Sequence, residues 1–300
     1  MGEKMSVGEE ICLFLLKSGL FDRFKNPMPT SKMVYGQNKK VRQYQPYNEK
    51  LWKNGRRILN LFLPFADIKD KILLDIGCGD GGKTVLYALE AKKVYGCDVR
   101  KECLKRAENF SRLKKVKNKT KFIYADSSNL PFESESFDII IMNDVMEHFA
   151  EPLKALMEAK RVLKKDGLIC ISFATWLCSY GSHLNDWIYI PWNNVFFSEK
   201  TLIKVLKKLS LSEKYIAFQF PNINNDPLPT RLEDLGAGNL NKITLREFRR
   251  IVKKTRMKVK LFNLGMNSKN PALNLIFKAL SKIPFFDEFF GGEIAIVLQK

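Results

Sequence analysis

A glycine-rich turn with acidic neighbours is the part of this sequence best suited to bind a charged ligand. Residues 75–82 read DIGCGDGG and follow a short apolar run. Glycines permit a tight turn and close approach of a ligand, and the start of a following helix offers free N–H groups to any anion. Gly77, Gly79 and Gly82 also match the dinucleotide-binding fingerprint. Its acidic residue, about 20 positions further on, would be Asp98.

The charge of this turn distinguishes between two kinds of nucleotide ligand. A dinucleotide brings a doubly negative pyrophosphate, whereas the turn already carries the carboxylates of Asp75 and Asp80. Like charges packed close together cost on the order of a few kcal/mol. S-adenosylmethionine instead carries an ammonium, a carboxylate and a sulfonium. Acidic neighbours suit its cationic groups, and the helix N-terminus can take its carboxylate, so the pattern favours S-adenosylmethionine.

Acidic residues also follow the next two predicted strands. Asp98 ends the second strand, where a carboxylate can accept both ribose hydroxyls, and Asp126 with Ser127 ends the third, within reach of an adenine amine. Because ligands of open α/β sheets bind at the carboxyl ends of the strands, we expect these side chains and Asp75 to meet there. The alternative is that they are ordinary turn residues and helix caps.

Four segments together resemble a known family. ILLDIGCGDGG, VYGCDV, FIYADSSNLPFESESFDIIIMNDVMEHF and RVLKKDGLICIS resemble, in order and spacing, the motifs of class I S-adenosylmethionine-dependent methyltransferases, in particular the methyltransferase type 11 group with the ubiquinone and menaquinone pathway enzymes. The likeness covers roughly residues 70–175, and Lys165-Asp166-Gly167 departs from the usual Pro-Gly-Gly. The resemblance implies cofactor contacts at Asp75, Gly77, Cys78, Gly79, Asp98, Val99, Asp126, Ser127 and Asn143.

Strands alternate with helices through this region, which predicts a parallel sheet covered on both faces. With two later strands, MKVKLFNL and GGEIAIVLQK, we predict an α/β fold with a Rossmann-like, doubly wound sheet of seven mostly parallel strands. We divide the chain into an N-terminal helical segment (1–66), an S-adenosylmethionine-binding core (67–176), an inserted lid or substrate-binding region (177–242) and a C-terminal part of the core with the last helix and antiparallel strands (243–300).

Methyl transfer to a hydroxyl requires positioning, a dry pocket and a base. The chain has two histidines, and an unshifted histidine titrates near pH 6.5, so both are candidate catalytic residues. His148 follows the fourth strand, where a helix-packing role is the alternative, and His183 lies in the predicted lid, where a hydrogen-bonded loop residue is the alternative. One nearby acid, Glu147, does not make a metal site, and no metal is predicted.

The absence of one motif limits which acceptors the sequence favours. Enzymes that methylate exocyclic base amines usually carry an Asn/Asp-Pro-Pro-aromatic turn after the fourth strand, where this chain has Asn143-Asp144-Val145. This favours an oxygen or carbon atom of a small or lipid-like acceptor. An RNA methyltransferase and a non-catalytic S-adenosylmethionine-binding partner subunit remain alternatives.

The composition bears on partners and compartment. The formal net charge of +19 suits nucleic acid, an anionic membrane or an acidic substrate, or simply solubility. Apolar segments 10–21 and 270–288, with basic neighbours, could rest on a membrane face or pack internally. No secretory signal or membrane-spanning run is expected. Six cysteines match neither a disulfide framework nor a zinc site, so we predict a cytoplasmic protein, with peripheral contact to the inner face of the membrane as an extension.

Overall fold

The described part of the chain forms two compact units. The computed structural model describes residues 5–21, 52, 55–56, 59–186, 188–210, 240–265 and 271–300, without the side chains of His183, Asp186, Ser210 and residues 271–274. One unit comprises residues 40–175 and 241–300, and the other comprises residues 1–39 and 176–240. Within the described part, no helix combines the length and the apolar character needed to cross a bilayer.

A seven-stranded sheet organises the larger unit. Its strands are β1 Ile72–Ile76, β2 Lys93–Asp98, β3 Thr120–Tyr124, β4 Phe137–Asn143, β5 Leu163–Ala174, β6 Lys258–Gly265 and β7 Glu293–Gln299. Their order is β3-β2-β1-β4-β5-β7-β6, with β1 to β5 paired in parallel. β7 is antiparallel to both neighbours, so β6 runs in the same direction as β5. The predicted α/β sheet of seven mostly parallel strands is confirmed.

The helices are largely those that the apolar periodicity predicts. They are α1 Val7–Lys17, α2 Gly82–Tyr87, α3 Lys101–Leu113, α4 Pro152–Val162, α5 Asn193–Phe196, α6 Glu199–Ser210, α7 Leu245–Thr255, α8 Pro271–Leu280 and α9 Asp287–Phe290. Thr244 caps the start of α7: its side chain accepts from the Glu247 N–H, and the Glu247 side chain accepts in return from the Thr244 N–H.

The central strands are apolar on both faces because helices cover the sheet on both sides. In β1 and β4, Leu74 and Ile140 belong to the core on one face. Their neighbours Leu73 and Ile141 belong to the core on the other face. A strand buried on both faces appears in sequence as a continuous apolar run rather than an alternating one. This is why ILLDI and FDIIIM predict interior strands of a doubly wound sheet.

Asp166 and Gly167, an Asp-Gly pair that by itself predicts a turn, lie in a bulge inside β5. The register with β4 moves from Phe137 opposite Leu163 to Ile139 opposite Leu168. Asp166 takes a left-handed conformation, with a φ of 61°. The extra residues of β5 are thereby accommodated without ending the strand.

The smaller unit has its own apolar core. Cys12 and Leu16 of α1 pack with Leu202 of α6 and with Tyr189, and the Tyr189 hydroxyl donates to the Leu16 carbonyl at 3.1 Å. A buried tyrosine with its hydroxyl satisfied is an internal packing residue. The Pro/Asn-rich stretch at residues 221–230 lies outside the described residues.

The grouping of the N-terminal residues differs from the predicted single segment at 1–66. The apolar stripe of α1 is completed by residues 184–209, within the smaller unit. Leu59 and Phe62 instead pack in the core of the larger unit, together with Val85 of α2. The two stretches are both helical in pattern, but their apolar faces belong to different cores.

Candidate functional site

The glycine turn after β1 is built from backbone conformations that favour glycine. Gly77, Gly79 and Gly81 have φ values of 72°, 51° and 77°. A Cβ on Gly77 would lie 2.3 Å from Val145 Cγ1, so no side chain fits there. The N–H groups of Gly77 and Cys78 donate to the Cys97 carbonyl at 2.8 and 3.0 Å. The turn is therefore fixed against the end of β2.

Asp98 ends β2 and joins the glycine turn to the following segment. Its side chain is 5% exposed. Its Oδ2 accepts from the Gly79 N–H at 2.9 Å, and its Oδ1 accepts from the Arg100 N–H at 2.9 Å. The Arg100 guanidinium also donates, through Nε at 3.0 Å and Nη2 at 3.2 Å. Ribose hydroxyls at this carboxylate would therefore compete with Arg100, whose side chain is 39% exposed and has room to move.

Asp75 is a carboxyl group held in an unfavourable environment. It is 5% exposed and accepts the Thr84 hydroxyl at 2.6 Å. Burial raises the pKa of Asp75 to about 6, and the charge of Asp98 also raises it, against the opposing effects of the Thr84 hydroxyl and the Lys83 ammonium. A nearby cationic ligand would favour the ionised form.

Asp80, the second acid of the turn, does not contribute free negative charge. Arg106 of α3 binds its Oδ1 through Nη2 at 2.8 Å and Nε at 3.0 Å, with the carboxylate 1% exposed. Of the two carboxylates that the sequence sets against a pyrophosphate, Asp80 is therefore neutralised inside the chain. The carboxylates that would repel a pyrophosphate at this turn are then those of Asp75 and Asp98.

Asn143, the last residue of β4, is oriented from two sides. Its Oδ1 accepts from Lys83 Nζ, and its Nδ2 donates to the Ser172 hydroxyl of β5. Lys83 lies in the first turn of α2 and also pairs with Asp144 at 2.9 Å. Since β4 is the neighbour of β1, Asn143 lies at the same edge of the sheet as the glycine turn.

The remaining predicted cofactor contacts lie on the open surface beside Asp98. Val99 is 56% exposed, Asp126 is exposed and Ser127 is half-buried. Asp126 accepts from the Ser128 N–H at 2.8 Å, and this hydrogen bond holds its pKa below the usual range. The Asp98 carbonyl accepts from the Ala125 N–H at 3.3 Å. Asp75 and Asp98 thus lie at the carboxyl ends of β1 and β2, and Asp126 follows the next strand, β3.

The two candidate catalytic histidines lie in different units. His148 is exposed in the 3-10 helix Met146–His148 that follows β4. His183 begins the 3-10 helix His183–Asp186 in the smaller unit, and its side chain is outside the described part of the structure.

Asn241 holds the segment that carries His148. Its Nδ2 donates to the carbonyls of Met146 and Phe149, both at 2.8 Å. Its N–H donates to the Glu147 carbonyl at 2.9 Å. These bonds fix the path of the chain on both sides of His148.

Sequence reasoning missed several residues that support the site. They are Lys83, Thr84, Arg100, Arg106, Ser172 and Asn241. Only Arg100 carries a local signal, since it stands two positions after an acid at a strand end. The others meet their partners through the tertiary fold.

The arrangement fits S-adenosylmethionine. Gly79 leaves the backbone open, since a Cβ there would meet only Arg100 Nη2, at 3.6 Å. Asp98 presents a carboxylate beside that opening, and the buried Asp75 provides negative charge that a cation would stabilise. A pyrophosphate would instead meet two carboxylates at the same turn.

Part of the chain is similar to known methyltransferases. Residues 74–171 match the methyltransferase domain family. The chain is 34% identical over 121 residues to an uncharacterised methyltransferase, YcgJ, of Bacillus subtilis, covering 40% of this chain and 47% of the relative. It is 31% identical over 120 residues to the ubiquinone/menaquinone biosynthesis C-methyltransferase UbiE of Campylobacter jejuni, covering 40% and 49%.

A solved structure supports the fold. The PH0226 protein of Pyrococcus horikoshii aligns with a TM-score of 0.51 at 17% identity, covering 89% of this chain and 94% of that one. The chain spans about half the length of the two curated relatives described above. The matched family, the strand order and the glycine turn with its flanking acids lead to one conclusion: residues 74–171 form a methyltransferase domain, with the sheet of the class I S-adenosylmethionine-dependent fold.

Proposed function

We propose that this protein transfers a methyl group from S-adenosylmethionine to a hydroxyl or carbon atom of a small or lipid-like acceptor. The observation that carries the proposal is the placement of buried Asp75 and Asp98 around one glycine turn, at the ends of adjacent parallel strands. Ligands of such sheets bind at that edge. When bound, S-adenosylmethionine supplies a methyl group on a cationic sulfur, which is a good leaving group.

The residues around the turn would bind and orient the cofactor. Asp98 would accept the ribose hydroxyls, in exchange for the Arg100 guanidinium that it holds in this structure. Asp126 and Ser127 would receive the adenine amine on the open side of Asp98. Asn143, fixed by Lys83 and Ser172, would border the methionine end. Positioning of this kind can supply several kcal/mol of the barrier to an in-line displacement.

A hydroxyl acceptor also needs a group that takes its proton. His148 is the first candidate, because it lies exposed after β4 on a segment that Asn241 fixes. An imidazole nitrogen of His148 would accept the proton as the new bond to carbon forms. His183 is the second candidate. If neither His148→Ala nor His183→Ala slows turnover at unchanged cofactor affinity, no histidine acts as the base.

The acceptor class is supported by two observations. The segment after β4 lacks the Asn/Asp-Pro-Pro-aromatic turn that cradles a flipped base. One relative, UbiE, is named as a C-methyltransferase of quinone biosynthesis. On these grounds we propose a small or lipid-like acceptor for this protein, and a cytoplasmic location with peripheral contact to the membrane.

RNA is the second candidate acceptor, because α7 exposes a cluster of cations. Arg246, Arg250, Lys253 and Lys254 are all exposed on this helix. RNA bound there would dissociate steeply with added salt.

The test is methyl transfer from labelled S-adenosylmethionine to separate lipid, small-molecule and RNA extracts. We expect label in the lipid or small-molecule fraction with the wild type, and none with Asp98→Ala. Asp138→Asn is the matched control, since Asp138 lies at the opposite end of the sheet, bound to the Ile72 N–H, and should retain transfer. Label in RNA alone would overturn the acceptor class. Cofactor binding without transfer to any fraction would point to a non-catalytic subunit instead.

A further inference from the structure

The segment between β6 and β7 presents a cluster of phenylalanine rings. Phe285 lies 5.5 Å from Phe289, Phe286 lies 6.3 Å from Phe290, and Phe277 of α8 lies 5.5 Å from Phe290, measured between ring centroids. We call residues 275–290 of this segment the aromatic ridge. Ring contacts give it a defined shape rather than that of a loose apolar tail.

Much of the ridge faces solvent. Leu275 is 71% exposed, Ile276 52%, Ile283 47%, Phe285 70% and Phe286 43%. Isolated exposed apolar residues are ordinary, but a contiguous group of this kind on a water-soluble surface is uncommon and marks an interaction site.

The exposed side chain of Phe285 stands on a strained backbone. Its φ is 78°, a left-handed conformation that a bulky side chain rarely adopts. Strain of this kind persists only where the surrounding structure imposes it, and it is concentrated at functional positions. Here it places the most exposed ring of the ridge in solvent.

The charge beside the ridge is positive, because its acids are engaged internally. Glu288 accepts from the N–H groups of Leu245 and Arg246 at 2.8 and 2.7 Å, at the start of α7. Asp287 pairs with Arg249 at 2.5 Å. The exposed cations of the ridge and of α7 are Lys278, Lys282, Arg246, Arg250, Lys253 and Lys254.

We propose that the aromatic ridge, flanked by the cations of α7, docks on an anionic phospholipid surface. Aromatic and aliphatic side chains enter the headgroup boundary, and lysine and arginine pair with lipid phosphates. RNA would need the cations but not the exposed aliphatic residues. A protein partner would not require the excess of positive charge. The proposal deepens the proposed transfer to a lipid-like acceptor and rests on it.

The segment that carries the ridge joins the sheet on the same side as the proposed transfer site. β6 ends at Gly265 opposite Glu293, the first residue of β7, which also pairs with Ala174 at the end of β5. Two residues before Ala174, Ser172 of β5 pairs with Asn143, the last residue of β4. The segment that carries the ridge therefore leaves and rejoins the sheet at the edge that carries the glycine turn. Its two ends, β6 and β7, are three and two strands away from β4, which is about 14 and 10 Å. A lipid-borne acceptor would be presented to the edge where transfer is proposed.

The test is co-sedimentation of the full chain with vesicles of mixed phosphatidylcholine and phosphatidylglycerol, compared with phosphatidylcholine alone. We expect binding to the anionic vesicles and about tenfold weaker partitioning of Phe285→Gly. Glycine suits the left-handed backbone, so the thermal midpoint of this variant should not fall. Leu113→Ser on α3 is the control, since Leu113 is 53% exposed outside the ridge, and its binding should match the wild type.

A further double variant completes the test. Lys278→Gln combined with Lys282→Gln should weaken anionic binding and reduce its dependence on salt. Equal binding of Phe285→Gly and wild type, or equal binding to both vesicle types, would overturn the docking surface. Cofactor affinity is measured in the same samples. Vesicle binding without cofactor binding would reject the proposed function alone, and the converse would reject the docking surface alone.

Discussion

Two aspartates of the same sheet, at the carboxyl and the amino edge of its parallel strands, have pKa values that their surroundings shift in opposite directions. At the carboxyl edge, burial raises the pKa of Asp75 to about 6, and one hydroxyl, from Thr84, donates to it. At the amino edge, burial also raises the pKa of Asp138, but the Ile72 N–H at 2.8 Å and the Lys164 ammonium at 2.9 Å outweigh it and leave the pKa below the usual range.

Ionised Asp138 therefore stabilises the fold, whereas ionised Asp75 destabilises it. A lowered pKa means that ionised Asp138 contributes stability, which is lost as the pH falls through that pKa. A raised pKa means that ionised Asp75 costs stability, so stability falls as the pH rises from 3.8 to about 6 and stays lower above it. Such costs are concentrated at functional sites, and the carboxyl edge is where ligands bind.

The largest effect expected at the carboxyl edge comes from Asp98→Ala. The substitution removes the proposed ribose acceptor and the anchor of Gly79, and charged hydrogen bonds contribute about 1.5 to 3 kcal/mol each. We expect S-adenosylmethionine affinity to fall about 100-fold in calorimetry. Unchanged affinity would remove Asp98 from the site.

Asp75→Asn should raise the stability of the fold and lower the affinity for the cofactor. Above pH 6 the neutral amide avoids the cost of a buried charge, so the free energy of unfolding should rise by about 1 to 3 kcal/mol in urea titrations. Cofactor affinity should fall about tenfold, because the cation loses a carboxylate. The stability gain should vanish below pH 3.8, where the wild-type carboxyl is also neutral. A loss of stability above pH 6 would contradict the contrast between the two edges.

Asp138→Asn should show the reverse pattern. The amide oxygen can still accept from Ile72, but the charge pair with Lys164 is lost, so the free energy of unfolding should fall by about 0.5 to 1 kcal/mol. Cofactor affinity should be unchanged in calorimetry. A variant that folds normally yet binds cofactor weakly would show that the amino edge also serves the site.

Arg100→Ala is the smallest and most specific prediction. Because the guanidinium occupies both oxygens of Asp98, its removal should free them for ribose. We expect cofactor affinity to rise about two- to fivefold, which corresponds to about 0.5 to 1 kcal/mol for a partly exposed pair. A fall in affinity would mean that Arg100 contacts the cofactor itself.

The sheet was predictable because its signals are local. Buried strands appear as apolar runs such as residues 72–76, and the Thr244 cap and α7 follow from short-range spacing. The bulge at Asp166 was not predictable, since an Asp-Gly pair favours a left-handed residue in a turn and in a bulge alike. Only the pairing of β5 with β4 decides between them.

The predicted cofactor residues could be placed at strand ends, but their partners could not. Arg106 reaches Asp80 and Asn241 reaches the carbonyl of Met146 across long stretches of sequence. These contacts arise when helices pack on the sheet. The same limit applies to α1, whose apolar stripe gives no indication of which core it completes.

The ligand preference of the glycine turn can be measured by calorimetric titration of the wild-type chain with S-adenosylmethionine and, separately, with NAD. Carboxylates around the glycine turn should bind the sulfonium nucleoside and repel the pyrophosphate. We therefore predict saturable binding of S-adenosylmethionine and no measurable binding of NAD. Tighter binding of NAD, or no heat with S-adenosylmethionine, would contradict the account.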